Sequence, residues 1–243
     1  MKKLIVVISV IIVVLLVGIF VAGYFLGNVP IASKLLGTNK PKDLGVVISV
    51  DNAYSGLQDM KCPLTPQAVE ELIKNPKSYT TVKTSLTSDE ASSMLALGDI
   101  PGFPLRMTQI KFGANGSAQV SGVINTEDLQ KALQEGGASS ETVDKVMGYV
   151  KNAKYLNFYA DGNLSVKNNQ ISGHFNSAKI GNISIPGDMI SSIEPGITSA
   201  VANGLKKQGY NIRSLTISEG KVDLDMDRPL GSIQNWLKFV QYQ

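Results

Sequence analysis

The chain has 243 residues, 43% of them hydrophobic, with 23 basic and 20 acidic side chains, one cysteine and one histidine. So high an apolar fraction at a formal net charge of +3 excludes a disordered chain, because enough surface can be buried to offset the entropy of ordering. A lone Cys62 closes no intrachain disulfide, and with His174 as its only companion it cannot complete a structural zinc site.

These averages merge two unlike pieces. From Leu4 to Leu26 only Ser9, Gly18 and Gly23 interrupt a run with 20 apolar residues out of 23 and no charge. As a helix at about 1.5 Å per residue it would be roughly 34 Å long, enough for a bilayer core of about 30 Å. Residues 4–26 are therefore expected to form a transmembrane anchor, with residues 1–3 as its cytoplasmic tip. The competing reading is a cleavable signal peptide led by Lys2 and Lys3. That peptide would have an apolar core of roughly 7 to 15 residues, shorter than this one, and Val29 to Ser33 is a poor cleavage site. A lipoprotein signal fails because Cys62 lies far downstream of the apolar run.

Lys2 and Lys3 face Lys34, Lys40 and Lys42 across the run, so the charge rule for orientation is nearly tied. The Ser-, Thr-, Asn- and Gly-rich remainder, almost free of cysteine, favours a single-pass protein with its bulk outside the cytoplasm. A cytoplasmic domain tethered by its N-terminus is the alternative. Five of the 23 basic residues lie in residues 1–42 with no acid, leaving 18 basic against 20 acidic in the rest. No Lys/Arg cluster with interleaved aromatics occurs there, so no nucleic-acid partner is expected.

Residues 27–43, with Gly27, Pro30, Gly37 and Pro41, suit a linker, and residues 44–229 an α+β domain. LGVVISV (Leu44 to Val50) reads as a strand. Thr65-Pro66 starts a short helix that Asn75-Pro76 ends. Tyr79 to Leu86 reads as a strand, and Thr87 to Glu90 (TSDE) is a capping box for a helix carrying Ala91, Met94 and Leu95 and ending at Gly98. Leu105 to Phe112 and Ala118 to Ile124 form a hairpin around Asn115-Gly116. Helical stretches follow at Thr126 to Glu135 and Ser140 to Ala153. A β-meander then runs from Tyr155 to Ile185, with turn signals at Asp161-Gly162 and Asn168-Asn169.

After Pro186-Gly187, Ile190, Ile193, Ile197, Val201 and Leu205 recur at intervals of 3, 4, 4 and 4, giving a long helix one aliphatic face that Pro195 would kink or restart. Asn211 to Ser218 and Lys221 to Asp227 are strands around Glu219-Gly220. This order of helix, strand, turn and strand repeats that of Thr87 to Ile124, and in each copy an arginine (Arg106, Arg213) stands four residues before an isoleucine (Ile110, Ile217).

The segment IPGDMISSIEPGITSAVANGLKKQGYNIRSLTISEGKVDLDMDRP resembles a pattern of small membrane-anchored or exported bacterial proteins related to the tubular lipid-binding (TULIP) superfamily. In it a proline-led amphipathic helix precedes a strand, a turn and an alternating strand. LTSDEASSMLALGDIPGFPLRMTQIKFGANGSAQVSGVI is similar to the helix and hairpin of related envelope proteins. Together these cover about 85 of the 243 residues. Pro195 and the helices between Thr126 and Ala153 depart from the pattern. The resemblance implies one domain in which a strongly curved antiparallel sheet wraps a long helix, with an apolar groove for acyl chains and no catalytic residues.

The expected architecture is thus an N-terminal transmembrane helix plus an α+β domain of curved antiparallel sheet around a long amphipathic helix. Ile190, Ile193, Ile197, Val201 and Leu205 are the candidate groove wall, and the competing reading makes them ordinary core. Residues 230–243 form an amphipathic tail in which Ile233, Trp236, Leu237 and Val240 share a face. Trp236 could rest at the bilayer surface, cover the groove or pack on the domain.

Asp223, Asp225 and Asp227 alternate on one strand face but lack the glycine and glutamate of a calcium loop, where Arg228 and Gln234 stand, so a solvated face and no metal is expected. His174 lacks a nearby nucleophile motif, neither GxSxG nor a phosphate-binding glycine loop occurs, and no cofactor is expected. The sequons at Asn115, Asn163 and Asn182 matter only in a glycosylating pathway. The function expected is a membrane-tethered, non-enzymatic domain binding lipid or another apolar ligand near the bilayer. The alternative is an envelope protein–protein interaction or assembly factor without a ligand.

Overall fold

A computed structural model of the chain describes residues 40–62, 79–98, 104–135, 154–181, 183–188 and 209–229, with single positions among 65–67, 140–147 and 190–206. The apolar run of residues 4–26, nearly all of the helix expected after Thr65 and the tail of residues 230–243 lie outside the described residues. Among the described residues no helix is long and apolar enough to cross a membrane.

The domain is α+β, built on an antiparallel sheet curled into a half-barrel. Its strands are β1 (Tyr79–Thr87), β2 (Leu105–Phe112), β3 (Ser117–Asn125), β4 (Tyr155–Lys167), β5 (Gln170–Ile180), β6 (Ile183–Ser184), β7 (Asn211–Ser218) and β8 (Lys221–Pro229). The path across the sheet is β1-β8-β7-β4-β3-β2, with β5 on the other side of β4 and β6 on β5. Along one edge β4 carries two hairpins in succession, since Tyr155 to Asn163 pair with β3 and Ser165 to Lys167 pair with β7. The hairpin tips meet where the edge changes hands. Gly116 donates to the Ile217 carbonyl at 3.2 Å, and Gly220 to that of Phe112 at 3.0 Å.

Helices α1 (Val50–Asp59) and α2 (Ser88–Leu97) pack on one another, with α1 against β1 and α2 against the edge strand β2. Gly56 permits this approach, because a β-carbon there would stand 2.6 Å from the Met94 sulfur. The expected capping box starts α2. Glu90 N donates to Thr87 Oγ1 and Thr87 N to Glu90 Oε2, at 3.2 and 2.8 Å. Helix α3 (Thr126–Glu135) begins on Asn125, whose side-chain oxygen accepts from the amides of Glu127 and Asp128. Described positions of the expected Ser140–Ala153 stretch (140, 144 and 147) are helical.

Two expectations are corrected. Leu44 to Ser49 form no strand, and α1 begins at Val50. Here α2 side chains hold the backbone in place of a neighbouring strand. Val47 N donates to Asp89 Oδ1, Ser93 Oγ donates to the Val47 carbonyl and Ser49 N donates to Ser93 Oγ, after which Ser49 caps α1 through the Asn52 amide. Asp161-Gly162 is no turn either but lies within β4, opposite a bulge where Asp161 pairs with Ser177 and Gly162 with Phe175. A β-carbon on Gly162 would strike the His174 carbonyl oxygen, so this glycine serves close strand approach, a role local sequence cannot tell from a turn. The second signal, Asn168-Asn169, is the turn, with φ of 50° and 61°.

The two faces of β3 explain how the chain joins the domain. Val120 and Ile124 enter the main core, while Ser121 and Val123 on the other face are also buried. Their register partners Gln109, Asn157 and Tyr159 bind the arriving segment. Asn157 donates to the Lys40 carbonyl at 3.3 Å, the Lys42 ammonium lies 3.8 Å from the Tyr159 ring centroid, and Leu44 N donates to Gln109 at 2.8 Å. Residues 40–44 thus cross the outside of the sheet and cover it.

Candidate functional site

The candidate site is the concave side of the half-barrel with the helical positions between 187 and 206. Pro186 precedes the first helical position, and its carbonyl accepts from Ile190 N at 3.1 Å. At the other end the Lys206 carbonyl accepts from Gly209, whose φ of 80° is the left-handed conformation that ends helices, and the Leu205 carbonyl accepts from Tyr210. Among the described positions, 194, 195 and 198 are helical. A proline denies its turn one amide, and nearby Thr198 Oγ1 donates to the carbonyls of Glu194 and Pro195, both at 3.1 Å.

Of the sequence-derived site residues, Ile190 and Leu205 are buried in the main core with the inward residues of the sheet, among them Val166, Ile212, Leu215 and Leu224. They bring the two ends of the segment into one apolar interior. Ile193, Ile197, Val201 and Trp236 lie outside the residues whose side chains are described.

Three groups that the periodicity did not single out hold this interior together. Glu194 ties the helix to β5, accepting from Phe175 N at 2.6 Å and meeting His174 Nδ1 at 2.9 Å. His174 is therefore engaged in a latch between strand and helix. At the edge of the sheet, Ser92 Oγ accepts from Ile110 N at 2.8 Å and donates to the Ile110 carbonyl at 3.0 Å, and Ser88 Oγ accepts from Phe112 N at 2.9 Å. These hydroxyls occupy backbone groups of β2 that an edge strand otherwise presents to a neighbour.

The third group is Arg228, fully buried at 0% exposure. It donates to the Met60 carbonyl from Nε and Nη2, at 3.2 and 2.8 Å, and from Nη2 to the Lys61 carbonyl at 2.8 Å. A cation at the C-terminal end of α1 satisfies carbonyls that the helix leaves unpaired. Burial lowers the Arg228 guanidinium from its usual range, opposed by the nearby Cys62 and Tyr210. Burial likewise pushes the Cys62 thiol up to about 11, against the pull of Arg228, so Cys62 is a protected thiol. Alternation on β8 gave a signal for Arg228, because Val222, Leu224 and Met226 face inward and residue 228 continues their row.

On the outer face of β7 and β8, Arg213 binds Asp225 Oδ1 at 2.6 Å through Nε and Asp227 Oδ2 at 2.7 Å through Nη1. Hydrogen bonds from Thr81, Arg213 and Asn211 hold the Asp227 carboxyl below the usual range. Among the described residues no group of three or more His, Cys, Asp or Glu is placed to hold a metal ion. Chemically the described interior offers apolar contact enclosed by polar latches. Compared with known proteins, the chain matches no family model, no curated protein and no solved structure.

Proposed function

We propose that the chain is a membrane-tethered, non-enzymatic domain, related to the tubular lipid-binding proteins, that takes up lipid or another apolar ligand beside the bilayer, with its bulk outside the cytoplasm. The ligand lies between the helical positions among residues 187–206 and the concave face of the sheet. The observation that supports the reading is a half-barrel sheet whose buried apolar residues share one core with Ile190 and Leu205, two of the described helical positions between 187 and 206. A sheet of this curvature can line an elongated apolar space, and its concave side supplies aliphatic residues from β4, β7 and β8. The uncharged run of residues 4–26 supports the tether.

Native mass spectrometry of the full chain, purified in detergent sufficient to strip annular lipid, tests this. The expected result is an acyl-chain adduct that survives and is displaced by an added fluorescent fatty acid. A bare chain that takes up no probe would overturn the proposal, and a crosslinked envelope protein on that bare chain would favour an assembly role.

A further inference from the structure

The structure describes seven large hydrophobic residues as exposed, and four of them stand within eight positions: Val47 (61%), Ile48 (37%), Val50 (55%) and Tyr54 (38%). They occupy the end of the arriving segment and the flank of α1 beside its buried residues Ala53, Gly56 and Leu57, where Val50 and Tyr54 are one turn apart. The strip thus continues the apolar face of α1 out to solvent, with Asp51, Gln58 and Asp59 exposed on the far side of the helix.

We propose that this strip is a docking surface for the lipid bilayer. The proposal rests on reading residues 4–26 as a membrane anchor and adds to it the face of the domain that meets the membrane. Thirteen residues separate Leu26 from Lys40. Even fully extended, at about 3.5 Å per residue, they reach no more than roughly 45 Å, so a bilayer holding residues 4–26 stays near the strip at high effective concentration, and a few apolar side chains suffice where a free protein would need more. The tether also leaves the domain at a defined place, because Lys40 and Lys42 are fixed on β4 through Asn157 and Tyr159.

On the same face of β4, partly exposed Tyr155 has the Lys154 ammonium 5.6 Å from its ring centroid. Tyrosines beside lysines suit the headgroup region, where the ring is half-buried and the ammonium meets phosphate. The nearby Asp43 carboxylate is turned back on the Gly45 amide. A second copy of the chain fits less well, since four partly exposed side chains fall far short of the about 800 Å² per partner that a stable complex buries.

The test uses the full chain with Val50→Cys on a Cys62→Ala background, labelled with an environment-sensitive nitrobenzoxadiazole dye and reconstituted into phosphatidylcholine vesicles with and without phosphatidylglycerol. Ser172→Cys, on exposed β5, is the control. The proposal expects blue-shifted emission at position 50, quenching by lipids carrying a nitroxide near the headgroup, no such response at position 172, and persistence of both effects at one chain per vesicle. Water-like, unquenched emission at position 50 would overturn it. So would a shift lost on dilution to one chain per vesicle, which would mean a second copy, or a shift without lipid quenching that is lost on deleting residues 230–243, which would mean the tail. The lipid adduct proposed above is measured without a bilayer, so either reading can fail alone.

Discussion

In the first helix-and-hairpin unit, α2 leads into β2 and β3; in the second, helical positions between 187 and 206 precede β7 and β8. Both hairpins lie on the same edge of β4, and both carry a bulge in their first strand beside the repeated arginine, Arg106 or Arg213. Their surroundings differ. Strand β7 is enclosed by β4 and β8, whereas β2 is an edge, and serines of α2 take up its backbone groups. The arginines differ likewise, Arg106 pairing with Asp128 of the following helix and Arg213 with Asp225 and Asp227 of its own hairpin. One local order thus serves two tertiary positions, and the side chains that close each unit follow from position in the sheet.

The largest effect is expected at the end of the second unit. Arg228→Met should leave the buried Met60 carbonyl and the part-buried Lys61 carbonyl without this partner, lowering stability by about 3–4 kcal/mol, most of it from the Met60 group at roughly 1–3 kcal/mol. Urea unfolding of the full chain, followed by circular dichroism, measures it. A loss under about 1 kcal/mol would mean that α1 does not depend on this clamp.

Ser92→Ala tests the first unit, where one hydroxyl serves both the amide and the carbonyl of Ile110, and should cost about 2–3 kcal/mol. If it costs less than substitution of exposed Ser172, the edge of β2 is satisfied by other means. Gly162→Ala, in the strand that carries both hairpins, should cost about 1–3 kcal/mol by forcing β4 away from the bulge in β5. Unchanged stability would show that β5 can shift without loss.

Arg213→Gln and Arg106→Gln should be milder than these, as partly exposed ion pairs are. They should differ in acid. The Asp227 carboxyl is held below its ordinary value of 3.8, so its contribution is complete above that value and lost as pH falls through the lower folded one. Arg213→Gln should reduce the stability difference between pH 6 and pH 3, while the Thr81 bond preserves part of it. An identical pH profile for both variants would remove the distinction between the two arginines.

The smallest change concerns Cys62, whose thiol, raised to about 11, should resist maleimide at pH 8 until the chain unfolds. Its raised value favours the neutral form in the fold, a contribution complete below the unfolded value and lost as pH rises through the folded one. Rapid native labelling would place Cys62 on a surface.

Much of this fold was legible because its signals are local. The TSDE capping box, Asn115-Gly116, Asn168-Asn169 and the alternation along β8 each depend on side chains within a few residues. The β-branched run at Leu44 to Val50 misled because strand propensity expresses packing on a sheet, and here the neighbour is a helix. Of the candidate site, helical spacing identified Ile190 and Leu205 as members of an apolar face. It could not find Glu194 as a latch to β5, since their bonds cross 19 and 20 residues.

By itself, then, the sequence determined the uncharged apolar run of residues 4–26, the turn and cap positions and the alternation of faces, all of which follow from side-chain chemistry at short range. Only the tertiary structure decided that residues 40–44 bury a second face of β3, that α2 serines close an edge and that Arg228 lies beneath α1. These depend on which distant segments meet, and on the cost of leaving a buried polar group without a partner.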